Sequence, residues 1–113
     1  MNRNFGYLST LIVEKNQLNR ERRRFWNILN MMRKGKPFSG ITRREAEKGY
    51  KRSRAEMIQL TSHMRKVCKE LRVSLVWTAS WSIAGFSTGK GFVMEREIEQ
   101  LALDYEVDEI LLG

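Results

Sequence analysis

The sequence predicts an α+β fold: a long basic helical hairpin of two helices, then one strand or β-hairpin, a glycine-rich turn and an acidic C-terminal helix. Three observations support this prediction. Apolar residues recur three to four positions apart through most of residues 7–71, the period changes to two over residues 73–83, and basic residues give way to acidic ones near residue 72. With 113 residues, the chain is expected to form a single domain.

The first helix is predicted from Tyr7 to Arg33, because this segment contains neither proline nor glycine and has its apolar residues at helical spacing. Its middle, EKNQLNRERRR, contains Leu18 as its one apolar residue. We therefore expect this part to be largely solvated or to touch something charged. Residues 34–40, KGKPFSG, contain two glycines and a proline and are expected to end the helix.

The second helix is predicted to begin at the sequence TRRE, residues 42–45, which has the pattern of a capping box. A narrow apolar seam then follows at alternating spacings of four and three. The seam consists of Ala46, Tyr50, Ser53, Met57, Leu60, Met64, Val67 and Leu71. Such a seam suits packing against the first helix in an antiparallel hairpin, or pairing with a second copy in a homo-oligomer.

Residues 73–83 alternate apolar and polar side chains and are rich in β-branched and aromatic types, which predicts a strand. A helical interpretation stays open, since residues 73, 76, 77 and 81 also share a helical face. The sequence GFSTGKGF, residues 85–92, is then expected to be a glycine-rich connector. Residues 94–107 have the spacing of a further helix, and the tail VDEILLG could be a short strand or a helix end.

The stretch AGFSTGKGFV, residues 84–93, has some features of a phosphate-binding loop. Such a loop needs four residues between its first glycine and a Gly-Lys-Ser/Thr triplet, whose hydroxyl reaches magnesium. Here the spacing from Gly85 to Gly89 is one residue short, and Gly91 stands where the hydroxyl is needed. We therefore expect a plain turn, in which Lys90 could still contact phosphate without nucleotide hydrolysis.

Other catalytic or metal chemistry has little support in the sequence. Cys68 and His63 are each the one residue of their type, so a zinc cluster lacks ligands and an intrachain disulfide is excluded. The carboxylates after residue 94 have the pattern of a solvated acidic helix face. We predict no enzymatic activity, no cofactor and no metal.

The predicted location is the cytosol. The N-terminal segment lacks the apolar core and cleavage site of a signal peptide, and the single cysteine suits a reducing compartment. The longest apolar stretch, residues 73–86, is shorter than the roughly 20 residues of a membrane-spanning helix. No membrane association is therefore expected.

The charge distribution is the most informative feature for function. Residues 1–72 contain 19 Lys and Arg against 6 Asp and Glu, whereas residues 73–113 contain 2 against 7. Within residues 20–54 the ratio is 13 to 3, which implies strong self-repulsion unless an anionic partner binds. The candidate contacts to such a partner are Arg20, Arg22, Arg23, Arg24, Trp26, Arg33, Lys34, Lys36, Arg43, Arg44, Lys48, Lys51, Arg52, Arg54 and Lys90.

These observations favour a small nucleic-acid-binding protein that acts through phosphate contacts, with aromatic residues near the basic end available to stack on unpaired bases. DNA and RNA both remain possible partners. The alternative is a small regulator or inhibitor, of the kind that a phage could encode, whose basic surface binds an acidic surface of a host enzyme. The acidic C-terminal end is expected to fold back on the basic hairpin or to meet another copy.

Overall fold

The computed structural model describes residues 4–36, 38 and 40–112, and it confirms the predicted α+β class. The elements in chain order are α1 (Phe5–Arg33), α2 (Arg43–Leu71), β1 (Ser74–Trp77), β2 (Ile83–Thr88), β3 (Gly91–Met94) and α3 (Glu95–Leu112). Helices α1 and α2 form the long antiparallel hairpin, and the three strands form one antiparallel sheet in the order β1-β2-β3.

Helix α1 begins two residues earlier than predicted because Asn4 caps it. The Asn4 side chain accepts a hydrogen bond from the Tyr7 backbone N–H (2.8 Å). At the other end the Lys36 N–H donates to the Met31 carbonyl (3.0 Å), and Gly35 turns the chain at φ 75°. The proline expected to contribute to this break, Pro37, lies outside the described residues.

Helix α2 confirms the predicted capping box and the predicted seam. The Glu45 N–H donates to Thr42 Oγ1 (3.1 Å), and the Thr42 N–H donates to Glu45 Oε1 (3.4 Å). All eight residues of the seam are buried or half-buried within one chain. The seam therefore packs against α1 inside the hairpin, which was the first of the two arrangements predicted for it.

The hydrophobic core lies at the open end of the hairpin, away from the turn that joins α1 to α2. There the N-terminal half of α1 and the C-terminal half of α2 meet the sheet and α3. The buried members of this core are Leu8, Leu11, Ile12, Met64, Val67, Cys68, Val73, Ile83, Phe86 and Ile98. The basic end of the hairpin extends beyond this core, which leaves its side chains accessible.

The closed end of the hairpin is held by close helix packing. Phe25 of α1 lies against Gly49 of α2, where an added Cβ would overlap the aromatic ring. Glycine is unfavourable inside a helix, but here it lets the ring pack directly on the α2 backbone.

Of the predicted alternatives after the second helix, the structure shows the β-hairpin: residues 74–83 are β1, a turn and the start of β2, and they are neither one continuous strand nor a helix. Apolar and polar side chains do alternate here, but the chain reverses direction at residues 78–82. The Thr78 N–H donates to the Ser82 carbonyl (2.8 Å) and closes the turn. Trp81, within the turn, has a left-handed φ of 65°. The expected glycine-rich connector is likewise a β-hairpin, in which Thr88 pairs with Gly91 around a two-residue turn.

Helix α3 runs to Leu112, the last described residue, so residues 107–112 of the tail are a helix end and not a strand. It folds back along the N-terminal half of α1, where Gly6 lies against Leu101 and Tyr105. Among the residues described here, no helix combines the length and apolar character of a membrane span.

The packing predicts that Met64→Ala lowers the free energy of unfolding by about 2–5 kcal/mol, because its fully buried side chain would leave a cavity. Ile58→Ala, on the same helix but half exposed, is the matched control and should change stability by less than about 1 kcal/mol. Chemical denaturation of both variants measures the difference. Equal stability of the two variants would contradict the assigned core.

Candidate nucleic-acid interface

The polar middle of α1 holds the turn between β1 and β2. Asn16 exchanges two hydrogen bonds with Ile83, accepting from its N–H (2.7 Å) and donating to its carbonyl (2.9 Å). Asn19 Nδ2 donates to the Ser80 carbonyl (2.9 Å), and Lys15 Nζ donates to the Trp81 carbonyl. The first alternative predicted for this part of α1, solvation, is therefore wrong for Lys15 and Asn19, which are buried, whereas the second, contact with a charged group, holds for Asn19, which bonds to Arg22.

The same turn presents Trp81 to solvent in a strained backbone conformation. Its φ of 65° is a region that a bulky residue rarely adopts, at a cost on the order of 1–3 kcal/mol. Its side chain is 68% exposed, so burial of the ring does not offset that cost. The turn is rigid because Thr78 Oγ1 accepts from the Ser82 N–H (3.2 Å) and because α1 holds its carbonyl groups.

Between this turn and the hairpin lies a cavity of about 470 Å³, here called the tryptophan groove. Its walls come from α1, α2, β1 and the turn, so residues far apart in sequence meet there. The lining residues are Lys15, Arg22, Arg54, Met57, Ile58, Thr61, Arg65, Trp77 and Trp81. Four of these described residues are basic and none is acidic, which makes the groove a concentrated positive site.

Lys15 is the most unusual charge in the groove. It is only 1% exposed, and its Nζ lies 4.7 Å from the centre of the Trp77 ring, within range of a cation–π interaction. Burial is the main cause that lowers the pKa of Lys15 from 10.5 to about 8, and the positive charge of the nearby Arg22 guanidinium is the second.

Arg22 is fixed in the groove wall but retains hydrogen-bonding capacity. Its Nη2 donates to Asn19 Oδ1 (2.9 Å), and the same Asn19 also holds the turn. The Arg22 Nε atom is buried and has no hydrogen-bond partner among the described residues. A buried N–H without an acceptor is costly.

A second cavity of about 210 Å³, the hairpin-end groove, lies further along the hairpin. Its lining residues are Trp26, Leu29, Asn30, Arg33, Arg43 and Glu47. Trp26 is four residues after Arg22, and Glu47 is seven before Arg54, so both grooves lie on the same side of the two helices. The carboxylate of Glu47 is paired with Arg43 (3.2 Å), so these two charges offset each other and Arg33 supplies the remaining positive charge of this groove.

The arginine cluster predicted from residues 20–24 is divided between two sides of the hairpin. Arg22 lines the tryptophan groove, whereas its neighbours point to another cavity of about 460 Å³, the arginine groove. The lining residues of the arginine groove are Arg20, Arg23, Arg24, Asn27, Ile28, Met31 and Phe38. Helical geometry requires this division, because consecutive residues are about 100° apart around the axis.

The other predicted contacts are exposed but line none of these three grooves. They are Lys34, Lys36, Arg44, Lys48, Lys51, Arg52 and Lys90. Lys90 lies in the turn between β2 and β3, where its backbone N–H already donates to Thr88 Oγ1 (3.1 Å).

Four basic or aromatic residues of the tryptophan groove were absent from the predicted contacts: Lys15, Arg65, Trp77 and Trp81. A signal existed for Arg65, which follows Arg54 by eleven residues and so shares its helical face. No comparable signal places the two tryptophans beside the hairpin, because their position depends on contacts across more than 60 residues.

The single cysteine and histidine lie away from the grooves. His63 Nε2 is hydrogen-bonded to the Tyr7 hydroxyl (2.8 Å), and burial raises the pKa of the Cys68 thiol. Cys68 is buried in the core, as expected of a structural thiol. Across the part of the chain that the structure describes, no three histidine, cysteine, aspartate or glutamate residues come together as a metal site.

Comparisons with protein-family models, with curated proteins and with solved structures find no match to this chain. Functional inference therefore depends on the groove residues and their chemistry.

The depressed pKa of Lys15 predicts a pH-dependent stability difference between the protein and its Lys15→Met variant. Between about pH 8 and pH 10.5 the unfolded chain keeps the Lys15 proton more than the folded chain does, so rising pH favours folding at this residue. Relative to Lys15→Met, the protein should gain about 1–3 kcal/mol of unfolding free energy over this range, allowing for solvent at the open side of the groove.

Chemical denaturation at a series of pH values measures this difference, and Cys68 and Tyr105 titrate equally in both proteins. The control is Lys48→Met, which replaces an exposed lysine of α2 and should give a constant difference. The charged groups around Lys15 are Arg22 on the same helix and Arg54 and Arg65 across the groove on α2. A constant difference for Lys15→Met as well would contradict the buried, charge-crowded environment.

Proposed function

We propose that this protein is a non-enzymatic nucleic-acid-binding protein whose phosphate contacts follow the side of the hairpin that contains the tryptophan groove. The observation that carries the proposal is the arrangement of Lys15 and Arg22 on α1 opposite Arg54 and Arg65 on α2, with no acidic residue among the described residues lining that groove. Like charges facing each other destabilise the fold unless an anion lies between them.

The length of this side suits a polymer better than a small anion. Arg43 and Arg65 are 22 residues apart on α2, which corresponds to about 33 Å along the helix axis. At roughly 3.4 Å per stacked nucleotide, such a surface accommodates about ten nucleotides of one strand. Arg65 at one end, Arg22 and Arg54 in the middle and Arg33 at the end near Arg43 supply the repeated cationic contacts that a phosphate backbone requires.

The position of the acidic helix α3 also supports the side of the hairpin with the tryptophan groove as the binding surface. Helix α3 packs on α1 near Asn16 and Arg20, where Glu95 and Glu99 line a small cavity with them. These carboxylates neutralise part of the other side of the hairpin. The tryptophan groove keeps its positive charge and is the better site for an anionic polymer.

A second candidate function is protein binding, and a feature of α3 favours it. Apolar residues recur on one exposed face of this helix at spacings of four, three and one. They are Leu103, Val107, Ile110 and Leu111. Under this alternative the partner is a protein with an acidic surface, and the basic groove contacts carboxylates in place of phosphates.

The test is fluorescence anisotropy of a labelled oligothymidylate of about twelve nucleotides, titrated with protein between about 50 mM and about 200 mM salt. Affinity should fall steeply with salt and depend little on sequence, because phosphate neutralisation dominates. The double variant Arg22→Ala, Arg54→Ala should lessen the slope of log affinity against log salt by about 1.4, at about 0.7 per phosphate contact of a single strand.

The matched control is Lys48→Ala, Arg52→Ala, which removes the same charge from a face of α2 that lines none of the grooves. Its slope should change by much less than that of the groove variant. Equal effects of both variants would contradict the groove as the site. A flat salt response, or polyglutamate binding as tightly as the oligonucleotide, would contradict nucleic acid as the partner and favour the acidic protein.

A further inference from the structure

We propose that the tryptophan groove holds one unpaired base stacked on Trp81, with the adjoining phosphates against the groove arginines, so that the protein binds single-stranded nucleic acid in preference to duplex. This inference rests on the proposed function and names the form of nucleic acid that the same site accepts. It is carried by the position of Trp81, its backbone conformation and the residues around it.

Folding alone does not explain a tryptophan at residue 81. A left-handed residue in a turn is most stable as glycine, which adopts φ of 65° without steric cost. Tryptophan adds strain there and exposes 68% of its surface, so the fold gains little from the ring. The ring can instead provide an accessible aromatic face for a ligand.

The backbone that carries the Trp81 ring is held in place by hydrogen bonds from α1. The Trp81 carbonyl accepts from Lys15 Nζ, and the neighbouring Ser80 and Ser82 bond to Asn19 at 2.9 and 3.1 Å. A ring whose backbone is fixed before binding loses less conformational entropy when a base stacks on it. The turn is therefore preorganised for stacking.

The surroundings of Trp81 match the two parts of a nucleotide. A base offers a flat aromatic face, and the adjoining phosphates offer acceptors for Arg22, whose buried Nε lacks a partner among the described residues, and for Arg54. The volume of about 470 Å³ lies within the range of small-ligand sites. Bases inside a duplex are stacked on each other, so only an unpaired base can place its face on Trp81.

The decisive variant is Trp81→Gly, which removes the ring and suits the left-handed backbone. Its affinity for the single-stranded oligothymidylate should fall by about 5- to 150-fold, the range for loss of one base–aromatic stack. Its melting temperature should stay the same or rise, because glycine relieves the strain. Trp81→Phe, which keeps an aromatic face, should retain most of the affinity.

The matched control is Phe92→Ala, which removes an aromatic ring with the same 68% exposure from β3, outside the grooves. This variant should bind as the unaltered protein does. Affinity for a duplex of the same length should be lower than for the single strand, and Trp81→Gly should leave it unchanged.

The results separate this inference from the proposed function. Salt-dependent binding that is equal for single strand and duplex, or equal for the protein and Trp81→Gly, would overturn the inference and leave the proposed function standing. If no oligonucleotide binds at low salt, the proposed function fails and the inference fails with it.

Discussion

Hydrogen bonds from the polar middle of α1 to the backbone of residues 80–83 are the interaction on which the rest of this structure depends. Lys15, Asn16 and Asn19 attach the sheet to the hairpin at the point where β1 turns into β2. Without these bonds the turn carbonyls would lack partners, and the wall of the tryptophan groove would have no fixed position. These polar contacts, together with the adjoining apolar core, determine where the sheet meets the hairpin.

This attachment creates the tension between stability and function in the molecule. Burying Lys15 beside Arg22 costs free energy, as does the left-handed backbone of Trp81. The buried Lys15 and the strained Trp81 both lie at the tryptophan groove. The hydrophobic core at the open end of the hairpin stabilises the fold and offsets these two unfavourable contributions. Strain and crowded charge concentrated at one site are typical of ligand-binding positions, which supports the choice of this groove over the other two cavities.

Local signals in the sequence predicted the helices well. The Thr42 capping box and the seam through Met64 depend on residues three or four apart, so their physics is visible without tertiary structure. A β-hairpin was one predicted alternative, but the position of its turn at residues 78–82 was not predicted, because the side chains of residues 73–83 alternate as in a continuous strand. Its closure depends on Trp81 adopting a conformation that propensity disfavours and on bonds to α1 some 61 to 67 residues away.

The basic character of the candidate site was predicted, but its location was not. Composition identified residues 20–54 as strongly positive, and Arg22 and Arg54 do line the groove. The side chains around Arg22 were treated as one cluster, whereas the helix directs Arg23 and Arg24 into a different cavity. Lys15 and Trp77 joined the site only through the docking of the sheet, which no local pattern encodes.

The central claim is that nucleic acid binds between the hairpin and the turn at residue 81. Two-dimensional NMR of isotope-labelled protein titrated with oligothymidylate tests it most directly. Our account predicts that the indole N–H signals of Trp77 and Trp81 and the Nε–H signal of Arg22 shift together, since all three line the tryptophan groove. Shifts confined to the arginine groove around Arg20 and Arg24, or to α3, with the Trp81 signal unmoved, would contradict it.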